Sequence, residues 1–454
     1  MTDKAVAKLI EWLKTSELTF ISDKIEIVQD AASGRGVRLK QCHINSNEEI
    51  IGIPSEFQLN FHSVLHHLSQ FNRKLVVPGV TVTEPEGDAD AEDPRTRAYG
   101  VLDANTVLQL SSFQLLALYI LAEWVLLKTW GCETQSFWQP FFEIFPTSAD
   151  LRAIPAYYSL QFASTSKELL PLLPPASACH CRRICELVQG DWARIRGILE
   201  QWNILFADRE TITLEQQFEH FLHIYFVINS RCLYTPVPLK DNRDDNFTMV
   251  PYVDFLNHIT TVSEHCYPKV ESVRRLYGGV GRFSIKCGPH AYRVPMEEVF
   301  LNYGAHSNDF LLNEYGFTVD ENEWDYIDVT EVVVSMIEKP EHVEFLREHD
   351  YYGDYTIAFD SVSFRVLVAL ALVATDDYER VNKYMMGYIT DDYFGPRYSS
   401  LLLEVLQRAR QFCEAALESA KKMTTADRYC TESVIAIYKG YLRILRHHLD
   451  SHTD

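Results

Sequence analysis

Three stretches concentrate the side chains that could do chemistry. They are Asn229-Ser230-Arg231-Cys232-Leu233-Tyr234, Val250-Pro251-Tyr252-Val253-Asp254-Phe255-Leu256-Asn257-His258, and the run from Glu297-Glu298 through Asn302-Tyr303-Gly304 to Tyr315-Gly316-Phe317. They offer two phenol hydroxyls, an adjacent amide and imidazole, and an arginine with a carboxylate, all groups that orient partners through hydrogen bonds. Each has a plainer reading. Asn257-His258 could close a helix, Tyr303 and Tyr315 could be core tyrosines with satisfied hydroxyls, and Arg231 could simply hold Asp254. No Gly-x-x-x-x-Gly-Lys-Ser/Thr, strand-to-helix Gly-x-Gly-x-x-Gly, His-Glu-x-x-His or Gly-x-Ser-x-Gly occurs. Gly34-Arg35-Gly36 allows a tight turn and a close backbone approach, as any turn would.

The elements that must position these groups alternate in kind. The start reads as an amphipathic helix, with Asp3 as cap and Val6, Leu9, Ile10 and Leu13 on one face. Lys24–Val28 reads as a strand that Ser33–Arg38 breaks, and Glu49–Ile53 as a strand closed by Pro54. Thr83–Arg95 is acidic and flanked by prolines, which predicts a solvated insertion. Residues 111–229 read as helical, with Leu115, Leu118, Tyr119 and Ala122 at helical spacing, and so do Phe218, Phe221, Leu222 and Tyr225. From 247 to 317 short strands and glycine turns take over, including Gly278-Gly279-Val280-Gly281 and a strand at Arg282–Cys287. From Glu331 onward the pattern is helical again, with stripes at Leu402, Val405, Leu406, Ala409 and at Ile437, Tyr441, Ile444, Leu445.

Composition narrows the function classes. The chain has 454 residues, with 42 Lys+Arg against 63 Asp+Glu, a net charge of −21. That length accommodates two or three lobes. The charge argues against direct nucleic-acid binding, which relies on Lys and Arg neutralising phosphates, and favours a basic protein partner. The apolar runs 115–127 and 366–374 are shorter than the roughly 20 residues of a membrane span, so buried helices and no membrane association are expected. Ten cysteines without an export signal predict a reduced, intracellular setting. Cys179-His180-Cys181 with Cys185 has no matching second pair, so it reads as a helix start and no metal is expected. No Lys/Arg-rich import run stands out, which favours the cytoplasm, with the nucleus as a second location.

Taken together, the three stretches resemble the SET-domain protein methyltransferases, and among them the class exemplified by the Rubisco large-subunit lysine methyltransferase. Gly34-Arg35-Gly36-Val37-Arg38 is similar to that class's N-terminal cofactor segment, Asn47–Pro54 to the strand after it, and Ser136–Phe142 with Pro146 to its insertion signature. Two departures stand out. Asn47 and Met296 occupy positions where the family has glycine before glutamate; asparagine tolerates a left-handed backbone, whereas Met296 predicts a turn of different shape. The cysteine cluster that follows the SET domain in histone-type enzymes is missing.

The resemblance implies an α+β fold: a β-rich SET domain over 1–320 (1–60, a helical insertion at about 61–235, and a core at about 236–320), then a helical C-terminal substrate-binding lobe at 321–454. It implies S-adenosyl-L-methionine as methyl donor and a protein lysine as acceptor; a Lys-rich protein, such as a ribosomal protein, translation factor or histone, would suit the acidic chain. The protein is expected to be a monomer. By position, Gly34, Arg35, Gly36, Arg38, Asn257, His258 and Tyr303 would hold the cofactor, and Tyr303 would stand beside the transferring methyl. Arg231, Asp254 and Tyr315 would face the substrate. The alternatives are a protein-histidine methyltransferase, a catalytically idle SET scaffold that binds peptides, and a helical adaptor working through its C-terminal lobe.

Overall fold

The computed structural model describes residues 4–30, 34–41, 43–81, 92–237, 239, 245–261, 263–271 and 280–451. The expected Asp3 cap, most of the acidic insertion (82–91) and Gly278-Gly279 lie outside the described residues. The chain forms two compact units, 1–151 with 185–304, and 152–184 with 305–454. The second thus takes in 152–184 and 305–320 as well as the C-terminal region.

In the first unit, the helix Lys4–Leu13 buries Val6, Leu9 and Leu13, while Ile10 is only half-buried. The strands β1 (Phe20–Ile21), β2 (Ile25–Asp30), β3 (Gly34–Leu39), β4 (Glu49–Ile53), β5 (Leu59–Asn60), β6 (Leu233–Tyr234), β7 (Phe247–Met249), β8 (His265–Val270), β9 (Phe283–Lys286) and β10 (Phe300–Leu301) follow in chain order. One sheet runs β1-β4-β9-β8-β10, with only the β8–β10 pair parallel. Strand β4 is buried over Ile50–Ile53, so its sequence is continuously apolar and not alternating. Gly52 leaves room there for the Arg282 guanidinium, which a Cβ at 1.7 Å would push aside. A second sheet runs β5-β7-β6.

The expectation that Ser33–Arg38 breaks the chain is corrected. Gly34–Leu39 is a strand, paired antiparallel with β2 from Asp30↔Gly34 to Ile25↔Leu39. The glycines and arginines imitate a turn locally, but the ladder partner supplies the hydrogen bonds and Gly34 takes a left-handed φ of 77° at the hairpin end. On its other edge β3 meets the segment before β10: Val299 N–H donates to the Val37 carbonyl at 2.8 Å and Leu39 N–H to the Glu297 carbonyl at 2.9 Å.

The turn at Met296 is corrected as well. Met296 has φ 67° and Asn47 has φ 61°, so both residues adopt the left-handed backbone that glycine favours. Each is third in a turn closed on its fourth residue: Glu48 N–H donates to the Asn45 carbonyl (3.2 Å) and Glu297 N–H to the Val294 carbonyl (3.0 Å). Pro295 sits second in its turn, where its fixed φ suits a type II geometry. The glutamates then cap their own turns. Glu48 accepts from Asn45 N–H (3.0 Å), and Glu297 from Arg293 N–H (3.0 Å) and Val294 N–H (3.1 Å).

The helical insertion contains Phe61–Phe71, opened by an Asn60/Ser63 capping box, and Leu214–Arg231, opened by a Thr213/Gln216 box. Between them, Ser112–Ile120 continues through a π-helical segment, Leu121–Leu126, to Thr129. This run of 18 residues is long and apolar enough to cross a membrane, so the length argument from sequence does not hold. Its environment is more informative: 72% of it is buried inside the protein. Glu123, midway along it, accepts from Arg95 Nε at 3.1 Å and from the Tyr99 hydroxyl.

In the second unit, the helices Asp391–Lys421 and Arg428–Ser451 bury both expected stripes. They are joined by Phe364–Thr375, buried from Val366 to Leu372 except Leu367, and by one two-stranded ribbon, β11 (Tyr326–Asp328) with β12 (Thr356–Ala358). The helix Asn308–Tyr315 is capped by Ser307 and stopped by Gly316 at φ 81°. It is tied in by Asp309, which accepts from the Tyr441 hydroxyl at 2.7 Å, and by Asn313, which donates to Ser177 Oγ at 2.7 Å.

Candidate active site

Parallel pairing brings two of the chemistry-bearing stretches side by side in the first unit. Leu301 N–H donates to the Asn257 carbonyl and Ile259 N–H to the Leu301 carbonyl, both at 2.9 Å. Tyr303, two residues beyond, is held from both ends. Its N–H donates to His258 Nδ1 at 3.0 Å, which makes that nitrogen an acceptor. Its hydroxyl donates to the Leu256 carbonyl at 2.7 Å, and its ring lies 5.1 Å from that of His258. Asn302 stiffens the same loop by donating to the Ile259 carbonyl (3.0 Å) and accepting from Gly304 N–H (2.8 Å).

Asn257 turns its side chain toward β3. Its Nδ2 donates to Glu298 Oε1 at 2.7 Å and to the Arg35 carbonyl at 3.3 Å. Gly36 makes room for this: a Cβ there would lie 2.6 Å from Glu298 Oε1 and 3.0 Å from Asn257 Nδ2. Arg38 donates to Asp30 Oδ2 (2.9 Å) and lies 3.5 Å from Glu298 Oε2, while its buried Nε has no partner among the described residues. Arg35 donates to the Ile144 carbonyl at 3.1 Å. Glu298 is the residue the sequence reading missed. Its signal is its place as second glutamate after the Met296 turn.

Arg231, at the end of Leu214–Arg231, donates to both the carbonyl (2.8 Å) and Oδ2 (3.1 Å) of Asp254. Burial pushes the Asp254 carboxyl up, and Arg231 opposes this. Its Oδ1 is buried with no partner among the described residues. Just before it, buried Tyr252 is held at φ 72°, ψ −38°, a conformation a bulky residue adopts only when its surroundings impose it. Burial also pushes the Tyr303 phenol up to about 12; Arg231 lowers it, and Asp254 and Glu298 raise it. The hydroxyl therefore keeps its proton at neutral pH.

Gly34, Arg35, Gly36, Arg38, Arg231, Asp254, Asn257, His258 and Tyr303 thus all belong to one unit, with hydrogen bonds and close contacts linking most of them. Tyr315 belongs to the second unit, closing the helix Asn308–Tyr315 with ring contacts to Phe310 (6.5 Å) and Phe317 (6.0 Å). Cys179, Cys181 and Cys185 lie within the helix Pro175–Leu205, and His180 bonds Glu314 at 2.5 Å. Among the described residues, no three His, Cys, Asp or Glu side chains are grouped to hold a metal ion.

Residues 325–451 match the family described as the ribosomal lysine N-methyltransferase 2 C-terminal domain. Ribosomal lysine N-methyltransferase 2 of Saccharomyces cerevisiae is 42% identical over 468 residues, covering 97% of this chain and 98% of its own. Ribosomal lysine N-methyltransferase set11 of Schizosaccharomyces pombe is 27% identical over 231 residues, 48% of this chain and 56% of its own. The crystal structure of the SET domain of LSMT bound to lysine and AdoHcy has a TM-score of 0.58 at 17% identity, covering 99% of this chain and 91% of that one. Rubisco LSMT bound to AdoMet gives 0.56 at 16% identity, covering 99% and 91%. Fold and relatives together define a SET-domain protein-lysine N-methyltransferase. Within that class, the chain belongs to the ribosomal lysine N-methyltransferase 2 family.

Proposed function

We propose that this enzyme methylates a lysine of a ribosomal protein, using S-adenosyl-L-methionine. The observation that carries the reading is the double anchoring of Tyr303 by His258 and the Leu256 carbonyl. The named activity of the Saccharomyces cerevisiae relative supports the substrate class, and the net charge of −21 suits a basic protein partner. Ribosomal proteins are made in the cytoplasm, and we assign the enzyme there. The exposed Met386, Tyr388 and Phe412 support substrate-protein contact by residues 321–454.

The cofactor supplies an electrophilic methyl: its carbon forms a bond to the lysine nitrogen as the bond to sulfur breaks. The residues present fit such a guest. Gly36 lets Asn257 and Glu298 close in on its backbone, and Arg38 Nε and Asp254 Oδ1 are a buried donor and acceptor still open to a polar ligand. We assign cofactor holding to the Gly34–Arg38 strand, Asn257 and His258. The phenol of Tyr303 donates its proton to the Leu256 carbonyl, which turns its oxygen into the acceptor that would receive the amine N–H groups or the polarised methyl C–H. A phenol pushed to about 12 is no base at neutral pH. The acceptor must arrive as a neutral amine, which a low-dielectric channel favours by lowering its pKa, with the proton lost to solvent. What remains for the enzyme is alignment.

The test is incubation of the purified protein with methyl-labelled cofactor and ribosomal proteins, followed by amino-acid analysis of the labelled band. Label in methyl-lysine is expected. Label in methyl-histidine, or none beside an active control enzyme, overturns the proposal.

A further inference from the structure

The first unit contains a cavity of about 470 Å³ that shares no residue with the Tyr303 site. That volume falls in the range of small-molecule sites. One wall is aromatic. Phe137 and Trp138 meet edge to face at 5.3 Å, and Phe137 stacks on Phe57 at 5.9 Å with planes 9° apart. Phe137 is 47% exposed, so this wall presents an uncovered apolar ring.

The facing wall is the start of the helix Phe61–Phe71. Asn60 caps it: Oδ1 accepts from Ser63 N–H at 3.0 Å. The other end of that amide, Nδ2, is buried and has no partner among the described residues, although Asn60 is only 1% exposed. Asn60 lines the cavity, and an amide donor left unmet beside it is unfavourable; a ligand acceptor that reached it would relieve this.

Two imidazoles complete the polar set. His66 Nδ1 lies 3.1 Å from the Val80 carbonyl, so it carries the hydrogen and Nε2 is an acceptor. His67 Nδ1 lies 2.8 Å from the Tyr119 hydroxyl. That hydroxyl also receives the Trp138 hydrogen bond, and donating its own proton to His67 Nδ1 satisfies it, an arrangement in which His67 Nε2 is an N–H donor. Burial lowers the His67 pKa, which keeps the ring neutral. No Lys or Arg lines the cavity among the described residues, and Glu56 does. An anion is disfavoured there.

We propose that this cavity is a second ligand site, taking a small, neutral, planar aryl amide. The aryl ring would lie against Phe137 and Trp138. The amide carbonyl would accept from Asn60 Nδ2 or His67 Nε2, and the amide N–H would donate to His66 Nε2. This reading stands apart from the methyl-transfer site.

The probe is benzamide, titrated into the full-length protein by calorimetry and ligand-observed NMR, with toluene as a shape control lacking the amide. Two variants accompany it. Asn60→Asp keeps an equally good helix cap and replaces the amide donor with a carboxylate oxygen. Phe137→Ala removes a half-exposed ring that also packs on buried Phe57 and Trp138, so its thermal stability is measured beside its binding. Benzamide is expected to bind with a Kd of about 1 mM or below, toluene about tenfold more weakly, and both variants about tenfold more weakly for benzamide. No benzamide binding up to about 10 mM, or equal binding by wild type and both variants, overturns the proposal.

Discussion

Glu298 Oε1 accepts the Asn257 amide at 2.7 Å across a gap that exists only because residue 36 is glycine. The two side chains come from segments 41 residues apart, joined by the pairing of Leu301 with Asn257 and Ile259. The amide is thereby oriented before any cofactor arrives.

Gly36→Ala tests that arrangement. The added Cβ would lie 2.6 Å from the glutamate oxygen and must displace it. Cofactor affinity measured by calorimetry should fall about tenfold or more, with a loss of about 1–3 kcal/mol of stability. Unchanged affinity would show that the gap has no role in binding.

Tyr303→Phe removes the hydroxyl and leaves the ring against His258. The turnover number should drop by about a hundredfold or more, while the cofactor Kd moves by less than about threefold. A loss in binding equal to the loss in turnover would assign Tyr303 to cofactor holding alone.

Met296→Gly should stabilise the protein. At φ 67° the methionine carries a backbone penalty that glycine lacks, offset in part by the freedom glycine adds to the unfolded chain. The expected net gain is about 0.5–1 kcal/mol by chemical denaturation. A loss would mean that the methionine side chain contributes packing greater than that strain.

Asp309→Asn should change the pH dependence of stability. Burial raises the Asp309 carboxyl to about 7; the Tyr441 hydrogen bond opposes this, and Asp325 and Asp328 add to it. The raised carboxyl gives its full contribution below the unfolded pKa near 4, and that contribution is lost as pH rises toward 7. Asn stays neutral and should keep accepting from Tyr441. Denaturation at pH 5.5 and at pH 8 should show the variant gaining on wild type by about 2 kcal/mol between the two. A constant difference would rule the titration out.

The features legible in the sequence were those carried by contiguous residues. Leu402, Val405, Leu406 and Ala409 recur at helical spacing, and all are buried as that spacing predicts. Asn257-His258 and Asn302-Tyr303-Gly304 are local enough to be recognised, and parallel pairing sets them side by side. Glu298 was illegible because its partners lie on two other segments, and nothing beside it announces them. Gly34–Leu39 read as a break because glycine and arginine weigh against a strand when its pairing partner is ignored. Met296 defeated a sound steric rule because proline before it and a capping glutamate after it close the turn anyway.

Those two capped turns have an effect beyond their shape. Burial works against the Glu48 and Glu297 carboxylates, but the Lys24 bond at one and the His290 bond at the other hold both below the usual range, so the ionised forms are favoured. Their contribution is present above the unfolded carboxyl pKa and fades as acid protonates them. Asp309 has the reverse slope. These two turns in the first unit therefore slacken toward low pH, and the Asp309 contact in the second toward high pH. The turns and the Asp309 contact thus respond to opposite ends of the pH range, and each response can be moved by substituting its own carboxyl.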